Sequence, residues 1–87
     1  MGAWIKTTNG ELTLQMGFGS PTRIIVDRST DAPVVVEGTQ QHHPTKWEGP
    51  AGRGPGVSKW TFNTGPISEL FVWRDCSGTY WVTPNWR

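Results

Sequence analysis

Charge is scarce and balanced in this sequence of 87 residues. Lys and Arg number eight and Asp and Glu number seven, so the formal net charge at pH 7 is +1. A protein that binds nucleic acid through its phosphates needs a strongly positive surface. A protein that stacks single-stranded bases on aromatic rings also needs a positive groove. We therefore expect no nucleic-acid partner.

Cysteine and long apolar runs are also nearly absent. The single cysteine, Cys76, cannot form an intrachain disulfide. The chain shows no apolar signal segment, and no apolar run approaches the length that crosses a membrane. These absences predict no transmembrane segment and favour a cytoplasmic location. The alternative is a secreted protein without a visible signal peptide.

The sequence lacks the usual patterns of catalytic and metal sites. A structural zinc site has four ligands at characteristic spacings, whereas Cys76, His42 and His43 are the only Cys or His residues. The acidic residues show no glycosidase-like pair, and no glycine-rich loop resembles a phosphate-binding motif. Cys76 could pair with a His as nucleophile and base, but it lies in a predicted tight turn that favours a small residue. We expect no catalysis, no metal and no cofactor.

Tryptophan, in contrast, is abundant. Leu, Ile, Val and Phe together are just under a fifth of the chain, a fraction close to that of disordered proteins. Six Trp supply the apolar area that a core needs. Gly and Pro, at 11 and 7 residues, favour strands and turns over helices. The length suits one domain, so we predict a single all-β domain over residues 1–87.

Asn9-Gly10 is the clearest local signal. Asn-Gly between strand-like segments favours a two-residue type I′ turn, and residues 11–18 alternate between polar and apolar. The sequence therefore predicts a hairpin over residues 3–18, with Ile5 opposite Leu14. This register puts Trp4 on the polar face, where it would be exposed to a ligand, packed on a second chain or covered by a loop.

Five further segments have the composition of strands, namely residues 22–29, 34–37, 57–64, 67–75 and 79–83. Residues 34–37 are β-branched on both faces, which predicts a central strand. Residues 40–56 are rich in Gly and Pro and show no periodicity, so we predict a long loop, and such loops are usually functional or disordered. The fold class that follows is a small antiparallel β-sandwich or barrel of about seven short strands.

The segment from Cys76 to Gly78 predicts a second hairpin. A three-residue loop that ends in Gly suits a type I turn with a G1 bulge. The register then places Trp73 opposite Trp81 on one face and Val72 opposite Val82 on the other. The sequence leaves open which face looks into the core. If the aliphatic face does so, the indoles are available to a ligand.

These aromatic residues suggest a lectin-like module that binds carbohydrate. A sugar ring presents C–H bonds on one face and hydroxyls around its rim, and a flat indole covers the C–H face at little entropy cost. The candidate ligand-binding residues lie on the second hairpin and the long loop: Trp81, Trp86, Trp47 and Trp73 for stacking, and Asp75, Arg74, Asn85 and His43 for polar contacts. Three of these Trp residues also have a structural alternative: Trp73 and Trp81 form a cross-strand pair that can build a core, and Trp47 can form a lid. We predict core positions for Trp60 and Phe62.

A different function class also fits the tryptophans. Trp is favoured at protein interfaces and at membrane surfaces, so the chain could be a protein- or lipid-contacting domain. In either interpretation, burying aromatic side chains between chains would stabilise a protein whose own core is small and poor in Leu. We therefore expect a homo-oligomer with closed symmetry.

Overall fold

The computed structural model describes residues 4–7, 10–14, 21–49 and 55–87, and these residues form strands, turns and no helix. The prediction of an all-β chain is therefore confirmed in the described ranges. Nine strands occur there, two more than the approximate count from the sequence: β1 (Ile5–Lys6), β2 (Glu11–Leu14), β3 (Thr22–Val26), β4 (Pro33–Glu37), β5 (Gln40–His42), β6 (Lys46–Glu48), β7 (Gly56–Thr61), β8 (Ile67–Arg74) and β9 (Tyr80–Trp86).

The strands form two antiparallel sheets. The five-stranded sheet has the order β1-β9-β8-β7-β6, and the four-stranded sheet has the order β2-β3-β4-β5. Neither sheet closes on itself within the described ranges. The β-branched strand β4 pairs with β3 on one side and β5 on the other, so its predicted central position is confirmed.

The predicted N-terminal hairpin is wrong. β1 pairs with β9 at the other end of the chain, with Ile5 opposite Val82, while β2 pairs with β3 in the other sheet. Gly10 keeps its turn conformation, with a φ of 77°, and a Cβ there would lie 2.9 Å from the carbonyl oxygen of Val26. A turn signal therefore specifies the local backbone, but the long-range pairing decides which strand each segment joins. Residues 3, 8–9 and 15–18 of the predicted hairpin lie outside the described residues.

The segment predicted as a long loop contains two of the strands. β5 lies at an edge of the four-stranded sheet and β6 at an edge of the five-stranded sheet. Both have three residues, and most of their side chains are exposed. Short edge strands are held by backbone pairing on one side, so they need no hydrophobic alternation, and the sequence shows none. Residues 50–54 lie outside the described residues.

Both sheets contribute to one buried core. Ile24 and Val35 of the four-stranded sheet belong to the same cluster as Leu70, Val72 and Val82 of the five-stranded sheet. Phe62 also lies in this cluster, which confirms the prediction for it, and Trp60 is partly buried and packs against it. The remaining buried members of the cluster are Val26, Ile67 and Tyr80.

Tyr80 brings a polar group into this core. Its ring is 2% exposed, and its hydroxyl donates a hydrogen bond to the carboxylate of Asp31. Burial, followed by the hydrogen bond to Asp31, raises the pKa of Tyr80 above its usual range. Asp31 has a φ of 63°, and its other carboxylate oxygen lies 3.6 Å from a guanidinium nitrogen of Arg74. These contacts join the turn before β4 to the hairpin of β8 and β9.

Candidate ligand-binding face

The predicted register of the C-terminal hairpin is confirmed. Trp73 lies opposite Trp81 and Val72 opposite Val82. In the turn, the backbone N–H of Gly78 donates to the carbonyl of Asp75 at 3.1 Å, and Gly78 has a φ of 84°. Glycine is favoured in this left-handed conformation, so the local sequence sets both the turn and the register.

The aliphatic face of the hairpin looks into the core. Val72 and Val82 are 2% and 0% exposed, and side chains alternate between the two faces of a strand. Trp73 and Trp81 therefore lie on the opposite face of the five-stranded sheet, which we call the outer face. This orientation leaves the indole pair outside the core.

Strand pairing arranges the side chains of the outer face in rows that run across the sheet. The first row contains Trp81, Trp73 and Val57, the second Thr83, Phe71 and Lys59, and the third Asn85, Glu69 and Thr61. At the edge, Lys6 of β1 lies opposite Trp81. Trp4 precedes Lys6 by two residues, so it falls at the end of the second row, beside Thr83.

The tryptophans of this face pack against one another. The ring centroids of Trp73 and Trp81 are 5.9 Å apart and the planes differ by 28°, which is a stacked arrangement. Trp4 meets Trp73 edge to face, with centroids 5.9 Å apart and an interplanar angle of 67°. Both are favourable geometries for aromatic pairs. Trp73 is therefore covered from two sides, whereas Trp4, at the edge, is 38% exposed.

A pocket of about 380 Å³ opens beside Trp4. Its walls include Trp4, Phe71, Thr83 and Asn85. Thr83, a small residue between two large aromatic residues in the second row, is 3% exposed. The volume falls within the range of about 300–1,000 Å³ that is typical of small-molecule sites, which combine apolar walls with a few polar groups.

The carboxylate of Asp75 accepts hydrogen bonds from residues of its own hairpin. One carboxylate oxygen accepts hydrogen bonds from the backbone N–H and the hydroxyl of Ser77, at 2.9 and 2.6 Å, and from the backbone N–H of Thr79 at 3.0 Å. The other accepts the indole N–H of Trp81 at 3.0 Å. The hydrogen bonds from the Ser77 hydroxyl and from Trp81, in that order, are the main causes that lower the pKa of Asp75 to about 2. Asp75 thus fixes the turn and the Trp81 ring.

A hydrogen bond and an ion pair, which link Asn85, Glu69 and Lys59, border the pocket on the side of the third row. The Nδ2 of Asn85 donates to a carboxylate oxygen of Glu69 at 3.2 Å, and the other carboxylate oxygen lies 3.1 Å from the ammonium of Lys59. Lys59 is the main cause that lowers the pKa of Glu69, and Glu69 raises the pKa of Lys59. This ion pair and the amide hydrogen bond hold Asn85 at the pocket.

The structure brings some of the predicted site residues together and separates others. Trp73, Trp81, Asp75 and Asn85 share the outer face, as described above. Trp86 is partly buried against the core. Trp47, on β6, is 45% exposed and stacks on Trp60 with ring centroids 5.7 Å apart.

Two predicted polar residues also lie away from the pocket. Arg74 is opposite Tyr80 and therefore on the inner side of the sheet, where its guanidinium lies over the Tyr80 ring at 5.9 Å. His43 is exposed between β5 and β6. Neither residue is among the described residues that line the pocket.

Sequence reasoning placed Trp4 beside the wrong neighbours. The erroneous N-terminal hairpin put it on the polar face of a β1–β2 pair, whereas the pairing of β1 with β9 puts it beside Thr83. The alternation of Trp4 and Lys6 with the partly buried Ile5 does indicate an outward position. Only the long-range pairing shows which residues it meets there.

Metal-ion groups and membrane-spanning helices are not found in the described parts of the chain. No group of three or more His, Cys, Asp or Glu there is placed to hold a metal ion. The same residues include no helix that is long and apolar enough to span a membrane. In comparisons with protein-family models, with curated proteins and with solved structures, nothing matches the chain significantly.

Proposed function

We propose that the chain is a non-catalytic carbohydrate-binding module and that its site is the pocket between Trp4 and Phe71. The observation that carries the proposal is the combination of two aromatic walls with the Asn85 amide in one open pocket. A sugar ring needs such a combination, because its C–H face is apolar and its rim forms hydrogen bonds. The two rings supply the apolar surface, and the amide supplies a donor and an acceptor.

The other aromatic residues of the face support the site from behind. Trp73 is covered by Trp81 and by the Trp4 ring, so we assign it the role of holding Trp4 in place. Asp75 holds the Trp81 ring through the indole N–H and is a positioning residue in this proposal. Trp4 and Phe71 replace the hairpin indoles as the expected stacking surfaces.

The test compares two exposed tryptophans. Affinities for a panel of neutral monosaccharides are measured by calorimetry for the parent chain, Trp4→Ala and Trp47→Ala, and unfolding is followed for each. We expect Trp4→Ala to lose at least about tenfold in affinity, about 1.4 kcal/mol, and Trp47→Ala to keep it. Equal affinity in all three folded proteins, or no sugar binding by the parent, would contradict the proposal.

A second candidate function is a subunit interface on the same outer face. The observation that favours it is the exposure of Val57 and Trp4, at 47% and 38%, on either side of the Trp pair. A second copy that covers this face would bury them, and a symmetric dimer is the simplest such assembly. Sedimentation should then show a dimer that Val57→Lys dissociates, while a monomer at high micromolar concentration would exclude it.

We also infer that the two sheets are the layers of a β-sandwich. The supporting observation is the single buried cluster that residues such as Val35 and Val82 share from opposite sheets. Sheets that pack face to face interleave their inner side chains in this way. In that arrangement the outer face is the free side of one layer.

A further inference from the structure

Building on the carbohydrate-binding function, we infer that the pocket takes an uncharged sugar that carries an acetamido group. In this arrangement the methyl group lies between Trp4 and Phe71, and the amide meets Asn85. Two independent properties of the site lead to this ligand class: the charge around the pocket and the chemistry of its walls.

The pocket presents no charged wall among the described residues. Lys59 and Glu69, on the side of the third row, form an ion pair with a distance of 3.1 Å between ammonium and carboxylate. Glu69 also accepts the hydrogen bond from Asn85. An acidic or basic sugar would therefore find no unmatched counter-charge at this border, whereas a neutral ligand leaves the pair intact.

Lys6 is a cation on the outer face that could act as a counter-charge for an acidic sugar. It lies on the same face, opposite Trp81, and its side chain is exposed. It is one row away from the pocket and does not line it. The affinity for a neutral sugar should therefore not depend on Lys6, whereas the affinity for an acidic sugar should.

The walls suit an acetamido group better than a hydroxyl. A hydroxyl placed between Trp4 and Phe71 would lose its hydrogen bonds to water and would find two rings instead, which is unfavourable. A methyl group in that position gains from burial. Next to it, an amide needs one acceptor and one donor, and the Asn85 amide offers both.

The hydrogen bond to Glu69 orients the Asn85 amide before a ligand binds. Because the Nδ2 of Asn85 donates one hydrogen to Glu69, the amide plane and the direction of its oxygen are set before a ligand binds. Lys59 in turn holds Glu69. Glu69 and Lys59 are therefore positioning residues, and Asn85 is the contact residue.

The experiment measures binding of N-acetylglucosamine, glucose, glucosamine and glucuronate to the intact chain by calorimetry. Saturation-transfer NMR then maps which protons of the sugar touch the protein. We expect N-acetylglucosamine to bind at least about tenfold more tightly than the other three, with the strongest transfer at its methyl protons. Asn85→Ala should remove this preference, because it should weaken binding of N-acetylglucosamine by a larger factor than binding of glucose. Lys6→Gln, the matched control, should change neither affinity.

Each of the other outcomes overturns the inference. Equal binding of glucose and N-acetylglucosamine would remove the acetamido site but leave the carbohydrate function standing. Tightest binding of glucuronate, lost in Lys6→Gln, would show that charge selects the ligand. Absence of binding by every sugar would overturn the carbohydrate function together with this inference.

Discussion

The hydrogen bond between Tyr80 and Asp31 predicts that removing one oxygen atom will substantially lower the free energy of unfolding. Tyr80→Phe keeps the ring, which is 2% exposed, and deletes only the hydroxyl that donates to the Asp31 carboxylate. A hydrogen bond to a charged group contributes about 1.5–3 kcal/mol, and the cavity left by one oxygen adds little. We therefore expect unfolding to become easier by about 1.5–3 kcal/mol, which lowers the melting temperature by roughly 10 °C in a chain of this size.

A double-mutant cycle separates this hydrogen bond from other consequences of the change. Asp31→Asn keeps a residue that tolerates the left-handed conformation at φ 63° and keeps an acceptor, but removes the charge. The free energy of unfolding is measured by urea denaturation for both single variants and the double variant. Residues in direct contact should show a coupling energy of about 0.5–3 kcal/mol. A loss below about 0.5 kcal/mol in Tyr80→Phe, or additive single effects, would refute the reasoning.

The pH dependence gives a second measurement on the same residue. Because the pKa of Tyr80 is raised in the folded chain, its contribution is fully present below the unfolded pKa of about 10 and is lost as the pH rises through the folded pKa. Tyr80 is the only tyrosine in the sequence, so tyrosinate absorbance reports this group alone. We expect that absorbance to appear together with unfolding and not before it.

Three further changes follow from contacts in the structure. As the pH falls through about 2, protonation of Asp75, whose pKa is lowered to about 2, should release the Trp81 indole and shift Trp emission. Asp75→Asn should abolish this step, and an unchanged step would assign it to another acid. Gly65→Ala should destabilise the chain by more than about 1 kcal/mol in urea denaturation, because Gly65 has a φ of 92° and an added Cβ would lie 2.7 Å from the His42 ring; an equal midpoint would contradict this. Cys76→Ser should leave melting temperature and sugar affinity unchanged, since the thiol is exposed in the turn, and a loss of binding by a folded variant would reveal a chemical role.

The two hairpin signals show what local sequence can and cannot predict. At residues 75–79 a three-residue loop with a terminal Gly predicted the register of β8 and β9 correctly, because adjacent strands were also the strands that pair. At Gly10 the local turn conformation is present, but the flanking strands β1 and β2 lie in different sheets. A dipeptide carries no information about β9, which begins 70 residues after Gly10.

The edge strands were missed for a related reason. Hydrophobic alternation appears where one face of a strand is buried, as in β3, where Ile24 and Val26 are buried. In β5 and β6 most residues are exposed, so the alternation is absent although the backbone is paired. The composition of residues 40–48 therefore predicted a loop.

The candidate site was only partly predictable. The sequence placed Trp73 and Trp81 side by side and left open which hairpin face was buried, since both faces carry apolar residues. The buried Val82 answers that question. Trp4 could not be assigned to this face, because its neighbours there come from the far end of the chain.

The abundance of tryptophan does not by itself identify a binding site, because the six rings have different surroundings. Trp60 and Trp86 pack against the core, and the Trp73–Trp81 pair covers its own faces. Trp4 and Trp47 remain as exposed rings, at 38% and 45%. Trp4 adjoins a pocket that also contains an amide, whereas Trp47 rests on Trp60 at a sheet edge. The comparison of Trp4→Ala with Trp47→Ala therefore distinguishes a ligand site from mere exposure of an aromatic ring.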